Sequence, residues 1–295
     1  MTLIRGVENI SSLFRNPPQR VVSLIPSITE SLFDLGAGEM VVGVTDYCIH
    51  PDDKLVEIHR VGGTKSPRLK DILNLQPDLV IANQEENPRQ LVEDLCNAGI
   101  TVWLIFPKTV HGTLQILWAI VQIFRLEEGN CKMRLLEDAV RFAELALPDG
   151  RATSYFCPIW QGDLGEQTWW MTFNGDTYPS DLLGTMGGRN IFQERQRSYP
   201  LEADLGLAEP ESPEGRDTRY PRVIGDEIIA CQPEVILLPT EPYQFGLENI
   251  NQFKEWFSNT PAIRMNQIFI IDGSLLTWHG TRMGKAIGEL GGLLS

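Results

Sequence analysis

PRLKDILNLQPDLVIAN, residues 67–83, returns in altered form as PRVIGDEIIACQPEVILLP, residues 221–239. Setting QPDLVI at 76–81 over QPEVIL at 232–237 gives an offset of 156 residues, and Ile72 and Leu73 then fall on Ile228 and Ile229. Proline cannot continue a helix, so each copy reads as a short helix with one apolar face that stops at the Gln-Pro step. The β-branched run behind it is too continuous for a half-solvated strand and predicts a parallel strand buried on both faces. A repeat spaced at about half the chain predicts two α/β lobes of like build.

Outward from the first copy the same reading extends. RVVSLI at 20–25 predicts the first strand, with Pro26 at its bend and Ser27 and Glu30 at capping-box spacing for a helix ending near Gly36. Strands follow at 41–44, 79–82 and 101–106, separated by the loops DYCIHP (46–51), GGTK (62–65) and NQEENP (83–88) and by a helix to about Ala98. Residues 110–147 are helical in pattern, with Gly129 as the break and 130–147 as the connector between lobes. Lobe two repeats the plan with a strand at 152–157, a helix at 181–186, a last strand at 268–271 and a closing helix from about Thr281. The expected division is an N-terminal α/β lobe over 1–126, a connector helix over 127–148 and a C-terminal α/β lobe over 149–295, with a ligand cleft between the lobes. Residues 193–222 are charged and proline-rich, either a mobile lid or a disordered insertion.

With 295 residues, 42% of them hydrophobic, the chain can bury two moderate cores. The net charge of −14 repels phosphate backbones and anionic lipid, which excludes nucleic acid as a partner class. Five scattered cysteines, Cys48, Cys96, Cys131, Cys157 and Cys231, have no metal or redox spacing and read as free thiols of a reducing compartment. Residues 1–19 lack the apolar core of an export signal and no later run is long enough to span a bilayer, so the expectation is a cytoplasmic protein without membrane insertion.

Ligands of open parallel sheets sit outside the carboxyl ends of the strands. The loops expected there supply the candidate ligand-binding residues Pro26, Ser27, Tyr47, His50, Lys65, Asn83, Glu85, Trp160, Trp169, Trp170, Tyr178, Arg219, Tyr243, Trp278 and His279. Each tryptophan either walls a flat ligand or packs its own lobe, and Trp169 and Trp170 cannot both face a ligand if extended, because strand neighbours point to opposite faces. His50 and His279 are the candidate axial ligands of a metal centre, whereas His59 and His111 read as structural. No three histidines with a carboxylate stand at ligand spacing, which argues against a bare zinc or manganese site. Arg216, Arg219 and Arg282 are candidates for planar oxygen groups of a ligand, or for ion pairs with the chain's many acids. Phosphate-loop, dinucleotide and GxSxG patterns are missing, and Glu85-Glu86 at a helix start does not make a catalytic pair.

The stretches RVVSLIPSITESLFDLG, VVGVTDYCIHP, VGGTKSP, LNLQPDLVIANQEEN, GITVWLIFP, WWMTFNGDTYPSDLLGTMGGRNIF and IIACQPEVILLP together cover most of the chain. In them the sequence resembles the helical-backbone periplasmic binding proteins, the cobalamin, haem and ferric-siderophore receptors of ABC importers, and within these the cobalamin-binding branch. The resemblance implies two Rossmann-like lobes joined by one long helix, a small-molecule ligand such as cobalamin or another tetrapyrrole or metal chelate, and no catalysis. It also implies an ABC permease as partner, docked through one acid from each lobe; Asp226 matches one, and Lys70, beside Asp71, stands at the other. The alternative is a cytoplasmic metal-dependent enzyme using the same cleft, with Asp46, His50, His279 and Glu241 as acid-base groups.

Overall fold

The structure is a computed structural model that describes residues 3–8, 10–146 and 152–294. It divides into two compact units, Met1–Ala139 with Trp278–Met283, and Val140–Thr277 with Gly284–Ser295. The division falls inside the expected connector, and one short stretch of the expected C-terminal lobe clusters with the first unit.

The first unit runs β1 (Leu3–Arg5), β2 (Val21–Ser23), α1 (Pro26–Leu35), β3 (Val41–Val44), β4 (His59–Arg60), α2 (Leu69–Asn74), β5 (Leu79–Asn83), α3 (Arg89–Asn97), β6 (Val102–Ile105) and α4 (Val110–Phe124), and α5 (Glu127–Leu145) leads out of it. Its six strands lie in the order β1-β6-β5-β2-β3-β4, all parallel. All five residues of β5 are buried: Val80 and Ala82 join Val22, Leu24, Val102 and Leu104 in one core cluster, while Leu79 and Ile81 alternate with them. That is the both-faced burial a continuous apolar run requires. The two strands beyond the four expected are the edges, β1 and β4, of three and two residues with partly exposed patterns. Runs that short carry no periodicity to read.

The second unit runs β7 (Thr153–Phe156), β8 (Trp160–Leu164), β9 (Gln167–Met171), α6 (Tyr178–Thr185), β10 (Gly188–Asn190), α7 (Leu201–Asp204), β11 (Arg222–Ile224), α8 (Gly225–Cys231), β12 (Val235–Pro239), α9 (Leu247–Trp256), α10 (Pro261–Arg264), β13 (Ile268–Ile271) and α11 (Gly273–Thr277), and α12 (Met283–Leu290) closes the chain. Its parallel sheet, β10-β7-β12-β13, repeats the inner order β3-β2-β5-β6 of the first. A three-stranded antiparallel sheet, β11-β9-β8, is added. It joins a hairpin in the first βα connection to the long segment before α8.

The sequence repeat persists down to single hydrogen bonds. Gln76 and Gln232 both take positive φ, 48° and 47°, and each turns its chain into the following strand. The acid two residues later then clamps the neighbouring strand. Asp78 accepts from the backbone N–H of Gln19 and Arg20, and Glu234 accepts from the N–H and hydroxyl of Ser154. Charge-assisted bonds to strand amides fix the register of β2 against β5 and of β7 against β12. Asp78→Ala and Glu234→Ala are each expected to cost about 1–3 kcal/mol, read as a lower urea midpoint at unchanged slope.

Three expectations change here. The helix break is at Arg125, which takes φ 54° and donates its N–H to Gln122, while Gly129 lies inside α5. A Cβ at Gly129 would come within 3.2 Å of the Leu35 carbonyl, so the glycine permits a close approach of α5 to the end of α1 rather than ending a helix. Residues 147–148 of the expected connector lie outside the described residues. The capping box is not formed either: Ile25 is the N-cap of α1 and Pro26 opens the helix, which frees the Ser27 hydroxyl for another role. Residues 193–222 are neither a disordered insertion nor shapeless, since they contain α7 and a bridge between Tyr199 and Glu211.

Candidate functional site

At the carboxyl ends of β2 and β5, four polar side chains of the first unit meet. His279 is 6% exposed; its Nε2 lies 3.1 Å from Asn83 Nδ2 and its Nδ1 3.4 Å from Ser27 Oγ. Asn83 Oδ1 accepts from the Glu85 N–H, so the amide nitrogen faces the imidazole and donates to Nε2. The ring proton therefore sits on Nδ1, toward Ser27. Asn83 Nδ2 also reaches Glu86 Oε1 at 3.2 Å, and Asn87 accepts from the Asn83 N–H. Burial pushes the His279 pKa down to about 4 and that of Glu86 up to about 7, the latter opposed by Lys65 and reinforced by Glu85. A neutral imidazole beside a carboxyl that holds its proton to near neutrality is the outcome.

The stretch 278–283 is bound to α1 throughout. Gly280 sits where a Cβ would come 2.4 Å from Ser31 Oγ, the Thr281 N–H donates to that oxygen, and Thr281 Oγ1 donates to Asp34. Arg282 holds Glu30 through two bonds of 2.8 and 2.6 Å, both side chains being largely buried, and lies 4.8 Å from the Trp278 ring. Trp278 also meets His50 edge-on at 5.7 Å. The loop after β3 is held by Arg60, which donates to the carbonyls of Thr45 and Cys48, and it leaves Tyr47, Ile49 and Val56 exposed. Lys65 donates to the Glu85 carbonyl and so ties the 62–66 loop to the loop after β5.

In the second unit, Trp160 at the start of β8 and Tyr243 in the loop past β12 meet edge-on at 5.6 Å, and Trp160 remains 43% exposed. Trp169 and Trp170 point to opposite faces of β9. Trp170 is 2% exposed among Phe253, Trp256 and Phe257, whereas Trp169 lies against Gly162 of β8.

These placements correct several expected contacts. Trp170 is a core residue, and Tyr178 is buried in the first turn of α6, where burial raises its pKa. Arg219 is held by both oxygens of Asp217, Arg216 lies within ion-pair distance of Glu211, and Arg282 holds Glu30, so all three candidate arginines are matched by acids. His279 has both ring nitrogens turned to Asn83 and Ser27, which removes it as an axial ligand. Ser27 and Asn83 act on that imidazole, and Pro26 is buried at the start of α1. Among the described residues no three His, Cys, Asp or Glu side chains are grouped to hold a metal ion. Partly or fully exposed are Tyr47, His50, Lys65, Glu85, Trp160, Trp169, Tyr243 and Trp278. The His279 network escaped the sequence reading because its members are up to 252 residues apart.

The family described as periplasmic binding protein matches residues 21–275. The vitamin B12-binding protein of Vibrio campbellii is 25% identical over 286 residues, covering 95% of this chain and 90% of that one. The vitamin B12-binding protein of Vibrio cholerae is 23% identical, covering 93% and 88%. Among solved structures, the periplasmic vitamin B12 binding protein BtuF of Vibrio cholerae is similar with a TM-score of 0.72 at 21% identity, covering 94% of this chain and 96% of that one. The periplasmic haem binding protein HutB of Vibrio cholerae follows with 0.71 at 21% identity, covering 93% and 98%. The fold is thus the two-lobed α/β fold with parallel sheets, and the family is one of binding proteins, not enzymes.

The cytoplasmic expectation is overturned by the same findings, since the family is one of periplasmic binding proteins and both solved neighbours are periplasmic. Of the thiols that suggested it, Cys48 and Cys157 are buried and burial raises the pKa of both, Cys96 is half-buried, and Cys131 and Cys231 are exposed. Matched over most of its length, and alike in both halves, the chain belongs to the periplasmic binding protein family.

Proposed function

We propose that this protein is the solute receptor of an importer for a corrinoid, cobalamin first, or for a related tetrapyrrole metal chelate, and that it passes this cargo to an ABC permease without altering it. The observation that carries the reading is the likeness, along more than nine-tenths of the chain, to proteins named for binding vitamin B12. The chain's own surface supports it. Tyr47, Trp278, Trp160 and Tyr243 stand at carboxyl-end loops of their units with ring area still open, which suits a broad flat ligand. In this reading His50 and Lys65 of the first unit and Trp169 of the second complete the set.

Asp226, exposed in the first turn of α8, is the proposed permease contact. Lys70 occupies the equivalent turn of α2, where Asp71 is engaged by Arg68.

Titration with cyanocobalamin, haemin and a ferric siderophore, followed by tryptophan fluorescence and absorbance, tests the reading. Saturable quenching by cyanocobalamin is expected, and Trp160→Ala should weaken it about tenfold at an unchanged melting temperature. Quenching by none of the three, or turnover of any of them, would defeat the proposal.

A further inference from the structure

The segment that leaves the carboxyl end of β10 and returns as β11 carries five arginines: Arg195, Arg197, Arg216, Arg219 and Arg222. Three are neutralised where they stand. Arg195 pairs with Asp204 and Glu227, Arg216 with Glu211, and Arg219 with Asp217. Arg197 and Arg222 form no ion pair among the described residues, although both are half-buried and the chain carries a net charge of −14. Asp204, the acid that acts on Arg222, has its oxygens taken by the N–H groups of Ser198 and Arg222 and by Arg195.

The two stretches are pinned to one carboxylate, the Ser198 and Arg222 N–H groups each donating to one oxygen of Asp204, and burial with the nearby Arg197 holds the Arg222 pKa below its ordinary value against the pull of Asp204 and Tyr199. Arg197 is fixed in place, its guanidinium carbon 4.1 Å from the centre of the Tyr199 ring, while Arg216 lies 4.0 Å from the same ring. Tyr199 is buried and donates its hydroxyl to the Asp217 carbonyl. Arg197 Nε is buried without a hydrogen-bond partner. Arg222 donates one bond to the Tyr220 carbonyl, yet two cations held together, part-desolvated and without an ion pair of their own, cost stability that a core or a surface loop has no reason to bear. A planar oxyanion removes that cost, because guanidinium forks match its geometry.

We propose that Arg197 and Arg222 form an anion site in the second unit that takes an oxyanion borne by the cargo, a carboxylate or a phosphodiester. The identity of the cargo rests on the reading above; the anion site does not. A tetrapyrrole with propionate side chains and a corrinoid with a nucleotide loop both supply such a group, and they are told apart by probes that differ in it alone.

The experiment compares the full chain with Arg197→Met, which keeps the aliphatic stem on Tyr199, and with Arg222→Gln. Inorganic pyrophosphate and citrate are expected to raise the melting temperature of the unaltered protein and to lose that effect in both variants. Without anion, each variant should melt at the same temperature as the parent or higher, since a repulsion has been removed; a purely structural arginine would give a lower one. Cyanocobalamin against dicyanocobinamide, and haemin against its dimethyl ester, then name the source. The variants should lose about tenfold in affinity for the charged member of one pair and nothing for its uncharged counterpart. Anion-induced stabilisation with no tetrapyrrole bound would sink the cargo reading and leave the site standing. No anion response in the parent, or variants that melt lower and lose both members of a pair equally, would overturn the site.

Discussion

Trp170→Ala is expected to destabilise the second unit by about 3–5 kcal/mol, the range for removing a large aromatic from a packed core. The indole is 2% exposed and meets Phe253, Trp256 and Phe257 at ring separations of 5.7, 5.3 and 5.4 Å. Its Nε1 donates to Gln161 of the adjacent β8 at 3.1 Å, so the deletion also leaves an amide oxygen without that donor. Because β11 is hydrogen-bonded to β9 with Val223 opposite Trp170, loosening this core should release the 193–222 segment as well. A urea midpoint drop larger than that of Trp169→Ala checks it, together with faster proteolysis within 193–222. Equal midpoints for the two tryptophan variants would show that burial is not what separates them.

The second large effect is a pH dependence hidden in the unaltered protein. His279 titrates near 4 in the folded chain and near 6.5 unfolded. Between those values the unfolded state binds the extra proton, so this group makes stability fall as pH is lowered. Glu86 titrates near 7 folded and 4.5 unfolded. Between these the folded state binds the extra proton, and stability falls as pH is raised. The two windows overlap from about pH 4.5 to 6.5, and the opposed slopes largely cancel.

Single replacements should uncover them. Glu86→Gln is expected to lose about 2–3 kcal/mol on acidification from pH 6.5 to 4.5, and His279→Gln to lose a similar amount in the opposite direction, relative to a nearly flat parent. Glu85 and Lys65, the other charges acting on Glu86, are retained in both. Urea titrations across this range provide the measurement. Two variants that both follow the parent's profile would refute the opposed titrations of His279 and Glu86.

Separations along the chain explain what could be read in advance. The helix, turn and strand at 69–83 and again at 225–239 were legible because helix ends, prolines and apolar periodicity act over a few residues. The antiparallel sheet was not, because β8, β9 and β11 are polar or mixed on one face and its third strand arrives fifty residues after the second. The arginines show the same limit. Residue type alone nominated Arg216, Arg219 and Arg282, which the structure pairs with acids, and passed over Arg197 and Arg222, which it leaves unmatched.

By itself the sequence determined that there are two α/β halves of one plan, and it identified the loops that carry aromatic and polar side chains, because local sterics and the burial of continuous apolar runs permit little else. Only the tertiary structure decided which of those side chains are spent internally. Trp170 became core, His279 was locked by Ser27 and Asn83, and two guanidiniums were gathered with no ion pair of their own. Burial and pairing depend on partners brought from distant parts of the chain, and no local pattern encodes who those partners are.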